Sequence, residues 1–98
     1  MKHFIVEIDY KAPLEIIEET RQEHRDYLKE GYNKKIILLS GPQVPRIGGI
    51  VIARGDSMED IAEYFSKDPY QVKGLAEYHY IEFKAANYQE FLKMWVDD

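Results

Sequence analysis

The feature that most limits how this chain can fold is a change of hydrophobic period, from two to between three and four and back again, that runs twice along its length. Residues Lys2 to Tyr10 alternate, with Phe4, Val6, Ile8 and Tyr10 on one side and His3, Ile5, Glu7 and Asp9 on the other. That is a strand with one apolar face and one mixed face. From Pro13 the spacing becomes helical, because Leu14, Ile17, Thr20 or Arg21, His24, Tyr27 or Leu28 and Gly31 recur at three and four residues. Pro13 suits a first turn, Glu15, Glu18 and Glu19 suit the positive end, and Gly31 is a natural stop. The apolar run in "KKIILLSGP" predicts a second strand, ended by Gly41 and Pro42. "QVPRIG" is the turn region and "GGIVIARG" the hairpin partner. Asp56 or Ser57 caps a second helix, "SMEDIAEYFSKD", with Ile61, Ala62, Tyr64 and Phe65 on its buried side, and Pro69 is expected to end it. "GLAEYHYIEF" alternates as a fourth strand, and "NYQEFLKMWV" predicts a short terminal helix with Tyr88, Phe91, Leu92 and Trp95 on one stripe.

The order strand, helix, strand, strand, helix, strand is that of an α+β, ferredoxin-like βαββαβ sandwich with an antiparallel sheet. At 98 residues it makes a single domain over 1–98, with both helices on one sheet face. The first and last strands are neighbours in this topology, so the other face collects His3, Ile5 and Glu7 together with Glu77, His79, Ile81 and Phe83. Its apolar members require cover while its histidines and glutamates require water or partners. A homodimer whose facing sheets enclose a wet pocket meets both needs.

Composition narrows the partners. The chain has no cysteine, so disulfides, thiolate metal sites and cysteine nucleophiles are excluded and a cytoplasmic location is expected. The longest apolar run, Ile36 to Leu39, is far below the roughly 20 residues of a membrane span, and the alternating first strand is unlike a signal peptide, so no membrane partner is expected. A formal charge of −5, from 13 basic and 18 acidic side chains, argues against nucleic acid. "GPQVPRIGG" lacks both phosphate-loop spacings and joins strand to strand where those motifs need a following helix. The eight tyrosines suit the lining of a pocket or a subunit interface.

Several short motifs occur together: "RQEHRDYL" with Arg21, His24, Tyr27 and Leu28 at three-residue and adjacent spacings, Gly31, "LLSGP" from Leu38 to Pro42, Gly48-Gly49, "DPY" at 68–70 and Gly74-Leu75. In this order they resemble the YCII-related domain family, over nearly the whole chain from the first strand through "YIEF". The resemblance implies a ferredoxin-like protomer pairing into a dimeric α/β barrel, with a pocket that holds a catalytic histidine and aspartate. On this chain these are His24 and Asp68. It also implies kinship with muconolactone isomerases and a dehydrochlorinase of chlorinated aromatics. The loop between Pro42 and Gly48 departs from the pattern, because "QVPRI" lacks an acidic residue.

Apart from the resemblance, the residues admit this chemistry beside a plainer structural reading. His24 sits on the sheet-facing stripe, where an imidazole is costly unless its nitrogens have partners. A core histidine bonded to a backbone carbonyl would meet that need. So would a carboxylate, and if this is Asp68, it fixes the tautomer and leaves the other nitrogen free to move protons near neutral pH. Asp68 before Pro69 is equally ordinary turn chemistry, its carboxylate bonding the backbone two residues on. Arg21, one turn before His24, either holds a substrate carboxylate or pairs with Glu18 or Asp26. Ser40 and Gly41 offer a hydroxyl and an open backbone to a developing oxyanion, or simply end a strand. Tyr70 either caps the pocket or packs on it, and His79 is expected to contact substrate. His3, Glu7, Glu77 and His79 lack metal-site spacing, so no metal is expected. The expected function is a lyase or isomerase without cofactor, using a His24–Asp68 dyad beside a carbonyl or lactone of a small, cyclic or unsaturated organic acid. The alternative is a non-catalytic ligand-binding dimer, a sensor or accessory subunit.

Overall fold

The computed structural model describes residues 1–98, and its element order is β1 (Lys2–Tyr10), α1 (Leu14–Asn33), β2 (Ile37–Pro42), β3 (Gly48–Gly55), α2 (Met58–Phe65), α3 (Pro69–Val72), β4 (Ala76–Phe83) and α4 (Lys93–Asp97), the last preceded by a 3₁₀ turn at Glu90–Leu92. The four strands form one antiparallel sheet in the order β2-β3-β1-β4, which is the ferredoxin-like arrangement.

Strand alternation decides what faces the helices. Phe4, Val6 and Ile8 of β1 pair with Ala53, Val51 and Gly49 of β3, and Val6 and Ile8 pair with Tyr80 and Tyr78 of β4. These side chains meet Ile17 and Leu28 of α1 and Ile61 and Phe65 of α2 in a single core, together with Ile37, Tyr70 and Ala76. On the other face His3 stands opposite Phe83, Ile5 opposite Ile81, Glu7 opposite His79 and Asp9 opposite Glu77, as the alternation requires.

Ile17, Thr20, His24, Leu28 and Gly31 form the buried stripe of α1, with His24 alone retaining appreciable exposure. Gly31 does not end the helix, which runs one further half-turn to Asn33. Its role is close approach: a Cβ there would lie 2.5 Å from Ile37 Cδ1 and 2.9 Å from the Tyr64 hydroxyl. The reversal into β2 is made instead by Lys35 in the left-handed region, φ 61°. Its carbonyl accepts from Arg54 Nε at 2.7 Å and from Trp95 Nε1 at 3.2 Å.

Ser57 caps α2, its hydroxyl accepting from the Asp60 amide at 3.1 Å. The helix ends at Phe65, and Pro69 begins the next one. Pro69 occupies the first position of α3, where a missing N–H costs nothing, and Asp68 is its cap. Beyond β4 the tail returns across the sheet face that the large helices leave bare. Arg54 Nη1 donates to the Trp95 carbonyl at 2.8 Å and the guanidinium lies over the Trp95 ring, 5.3 Å from its centre. Of the residues expected on one apolar stripe there, Phe91 is turned out to solvent.

Candidate active site

Asp68 is completely buried, and three donors converge on its carboxylate. His24 Nδ1 lies 2.9 Å from Oδ1 and 2.8 Å from Oδ2, the Tyr78 hydroxyl donates to Oδ2 at 2.6 Å, and the Tyr70 amide donates to Oδ1 at 3.2 Å. The two readings of Asp68 in the sequence are therefore both realised: the carboxylate closes the turn two residues on and also holds the histidine. Burial of a carboxylate is tolerable only with such satisfaction of its lone pairs.

A carboxylate can only accept, so Nδ1 carries a proton and, in the neutral ring, Nε2 carries the lone pair. No hydrogen bond within the chain occupies Nε2. The imidazole is stacked on Tyr70, with centroids 4.1 Å apart and planes 16° from parallel, while Tyr10 meets Tyr70 edge-on at 5.9 Å. Packing and hydrogen bonds thus fix the ring's plane and its tautomer together. The Tyr78 phenol is pushed far above its ordinary range by burial first and then by the Asp68 charge, so it remains a donor. Tyr70 is pushed up to about 12, chiefly by burial.

His24 borders a cavity of about 200 Å³ between α1 and the β1-β3-β2 side of the sheet. Arg21, Ser40, Gly41 and Tyr70 line it as well, so the first helix, the end of β2 and the start of α3 converge there. Ser40 Oγ is 2.6 Å from the Tyr32 hydroxyl, which leaves the pair one proton to offer outward. A Cβ on Gly41 would meet nothing within 4 Å, so the backbone is open to a ligand at that point. Arg21 pairs with Glu18 at 3.4 Å, the intrahelical partner the spacing allowed, and still borders the cavity.

His79 is not brought to this cavity. Its register opposite Glu7 sends it to the other sheet face, where it is exposed and 3.8 Å from Glu77. Asp9, Glu77 and His79 gather there within metal-binding distance of one another. The Lys11 ammonium, 2.9 Å from Asp9, already supplies the cluster with a cation.

Three residues of the site were missed in the sequence. Tyr78 was legible in principle, since the β1–β4 register puts it beside Ile8 on the helix side. Arg25 and Arg46 join Arg21 around the cavity. Arg46 arrives on the β2–β3 loop and pairs with Glu18, whose carboxyl it holds below the usual range. Nothing in the periodicity of a loop indicates such a reach.

The cavity therefore combines one oriented imidazole with a lining that includes Arg21, Arg25 and Arg46, of which Arg21 and Arg46 share the Glu18 carboxylate, and the free ring nitrogen is able to exchange a proton with a group beside it. Among solved structures, the fold is similar to 5-chloro-2-hydroxyhydroquinone dehydrochlorinase from Burkholderia phenoliruptrix in complex with 2,5-dihydroxybenzoquinone, with a TM-score of 0.71 and 20% identity over 86% of this chain and 94% of that one. No curated protein matches the chain. The model of the YCII-related domain matches residues 1–84, the whole sheet with α1, α2 and α3, and the chain belongs to that family.

Proposed function

We propose that the protein is a small-molecule enzyme of the lyase or isomerase type, needing no cofactor, that shifts a proton at a carbon next to a carbonyl or lactone of a small organic acid. The observation that carries this reading is a fully buried Asp68 holding Nδ1 of an imidazole whose other nitrogen is unengaged at a cavity wall. His24 Nε2 removes the α-proton, and the electron pair of the broken C–H bond moves onto the carbonyl oxygen. Asp68 steadies the imidazolium formed. Arg21, with Arg25 and Arg46, attracts the acid group, and the Ser40 hydroxyl and the open backbone at Gly41 face the developing oxyanion. Return of the proton at a different carbon gives isomerisation, and departure of a leaving group from the neighbouring carbon gives elimination. The dehydrochlorinase with a similar fold supports the second outcome. The mixed sheet face around Ile5, Glu7, His79 and Ile81 supports a homodimer.

Hydrogen–deuterium exchange tests the reading. Small cyclic and unsaturated keto acids and lactones, with 5-chloro-2-hydroxyhydroquinone for chloride release, are incubated with the protein in D₂O. Exchange or elimination that falls at least 100-fold in His24→Gln supports it. Turnover that survives this substitution, or tight binding of acids with no proton exchange, overturns it, and the latter outcome establishes the ligand-binding alternative.

A further inference from the structure

The cavity beside His24 is flanked by a second row of α1 side chains. Glu18, Arg21, Arg25, Leu28 and Tyr32 recur at three- and four-residue spacing along one flank of the helix, beside its buried stripe. Arg21, Arg25 and Leu28 line the cavity, and Tyr32 is hydrogen-bonded to Ser40, another lining residue. This flank is thus turned toward the site.

Two of the three guanidinium groups at the cavity are already matched. The Glu18 carboxylate lies between them, with one oxygen 3.4 Å from Arg21 Nη1 and the other bonded by Arg46 Nη1. Arg46 reaches the helix from the β2–β3 loop, its guanidinium 5.9 Å from the centre of the Tyr10 ring. It holds the Glu18 carboxyl below its usual range, so the clasp stays ionised.

Arg25 has no such partner. At the positions three and four residues away, where a helix brings side chains together, stand Arg21, Gln22, Leu28 and Lys29, and no acid. No carboxylate elsewhere in the chain pairs with it. A guanidinium set between two further cations gains twice from an added anion, by relief of repulsion and by paired hydrogen bonds.

We infer that Arg25 is the group that holds the acid of the substrate, and that Glu18, by occupying Arg21 and Arg46, restricts the cavity to molecules with a single negative charge. The assignment rests on the reading of this cavity as the active site: all three arginines draw an anion inward, and one is free to grip it. Arg25 follows His24 directly and shares the cavity wall with it, so an acid held there keeps the rest of the molecule beside the imidazole. A second acid group would compete with the Glu18 carboxylate for the same two cations, and like charges repel.

Nitrogen-15 chemical-shift titration at pH 8 and low salt tests this, with benzoate, its neutral isostere benzamide and the dianion isophthalate. Wild type is expected to bind benzoate at least about fivefold more tightly than either of the others. In Arg25→Gln benzoate falls to the level of benzamide, whose own affinity is unchanged because the cavity is intact. In Glu18→Gln isophthalate gains at least about fivefold, more than benzoate does. An exposed ion pair contributes little to stability, so this variant keeps its fold. Lys29→Gln removes the same charge from the same helix outside the cavity and leaves all three affinities within about twofold.

No saturable binding of benzoate, equal binding of benzamide, or a preference that survives Arg25→Gln overturns the proposal. So does a loss in Lys29→Gln as large as in Arg25→Gln, or an isophthalate gain no larger than that of benzoate. None of these measurements needs turnover. If proton exchange fails while the binding pattern holds, the chemistry falls and the anchor stands. If His24-dependent exchange proceeds alike on acids and their neutral methyl esters, the anchor falls and the chemistry stands.

Discussion

His24 and Asp68, 44 residues apart in sequence, face each other so that one imidazole nitrogen spans both carboxylate oxygens, at 2.9 and 2.8 Å. Replacing Asp68 with Asn keeps the volume but brings an NH₂ group among three donors, so the ring loses its fixed tautomer. The expected outcome is a fall in kcat of roughly 100-fold or more with a much smaller change in KM. Nitrogen-15 shifts of His24 check the cause directly, moving from a single tautomer toward a mixture.

Removing the carboxylate altogether costs stability as well. In Asp68→Ala the Tyr78 hydroxyl, the Tyr70 amide and His24 Nδ1 all lose their acceptor, and α3 loses its cap. A loss of about 3 kcal/mol is expected in urea unfolding. Tyr78→Phe removes one bond of the three and costs about 1–2 kcal/mol.

Alkaline pH weakens the fold through the tyrosines. Tyr27, Tyr64, Tyr70, Tyr78 and Tyr80 are all raised, chiefly by burial, with Tyr70 and Tyr80 pushed up to about 12. Above the ordinary phenol value of 10.0 the unfolded chain releases these protons while the folded chain keeps them. The folded state then binds more protons, so stability falls as pH rises through 10. Urea midpoints at pH 8 and pH 11, with phenolate absorbance followed in parallel, measure this; wild type is expected to lose more than Tyr80→Phe.

The acid limb depends on His3. Its value is lowered from 6.5 by burial, by the amino terminus and by Arg54, so the unfolded chain takes up a proton that the folded chain resists. Stability is full above 6.5 and declines as pH falls below it, until the folded ring also protonates. His3→Phe is expected to flatten the urea midpoint between pH 7 and pH 5.

Gly31→Ala sets helix propensity against packing. An interior alanine favours a helix by about 1 kcal/mol over glycine. Here the added methyl would meet Ile37 and Tyr64 at 2.5 and 2.9 Å, and overpacking of that kind costs about 1–3 kcal/mol. A lowered Tm is therefore expected, against the usual sign of the substitution.

Strand alternation and helical spacing carried most of the architecture, because burial on one side of a sheet leaves a direct trace in sequence. β3 is found at Gly48–Gly55 as the pattern requires, and the register of β1 with β4 follows from which residues alternate. What periodicity cannot convey is the purpose of a glycine or a proline. Gly31 looked like a stop and is a point of contact, and Pro69 looked like an end and is a beginning. Within the site, His24 stood out as a polar group on an apolar stripe, whereas Tyr78 looked like one more aromatic of a strand and Arg46 like loop. His79 lies on the far sheet face as the alternation predicts, opposite Glu7 and away from the cavity beside His24.

The short helix at Pro69–Val72 has a consequence for how the molecule fails. It is a single turn, closed by the same carboxylate that seats the imidazole. Tyr70 of that turn belongs to the core and Tyr78 of β4 holds the same carboxylate, so the turn is tied to the sheet at both ends. Loss of the His24 tautomer and separation of the strands are therefore expected at a single urea midpoint, the smallest helix melting only with the whole.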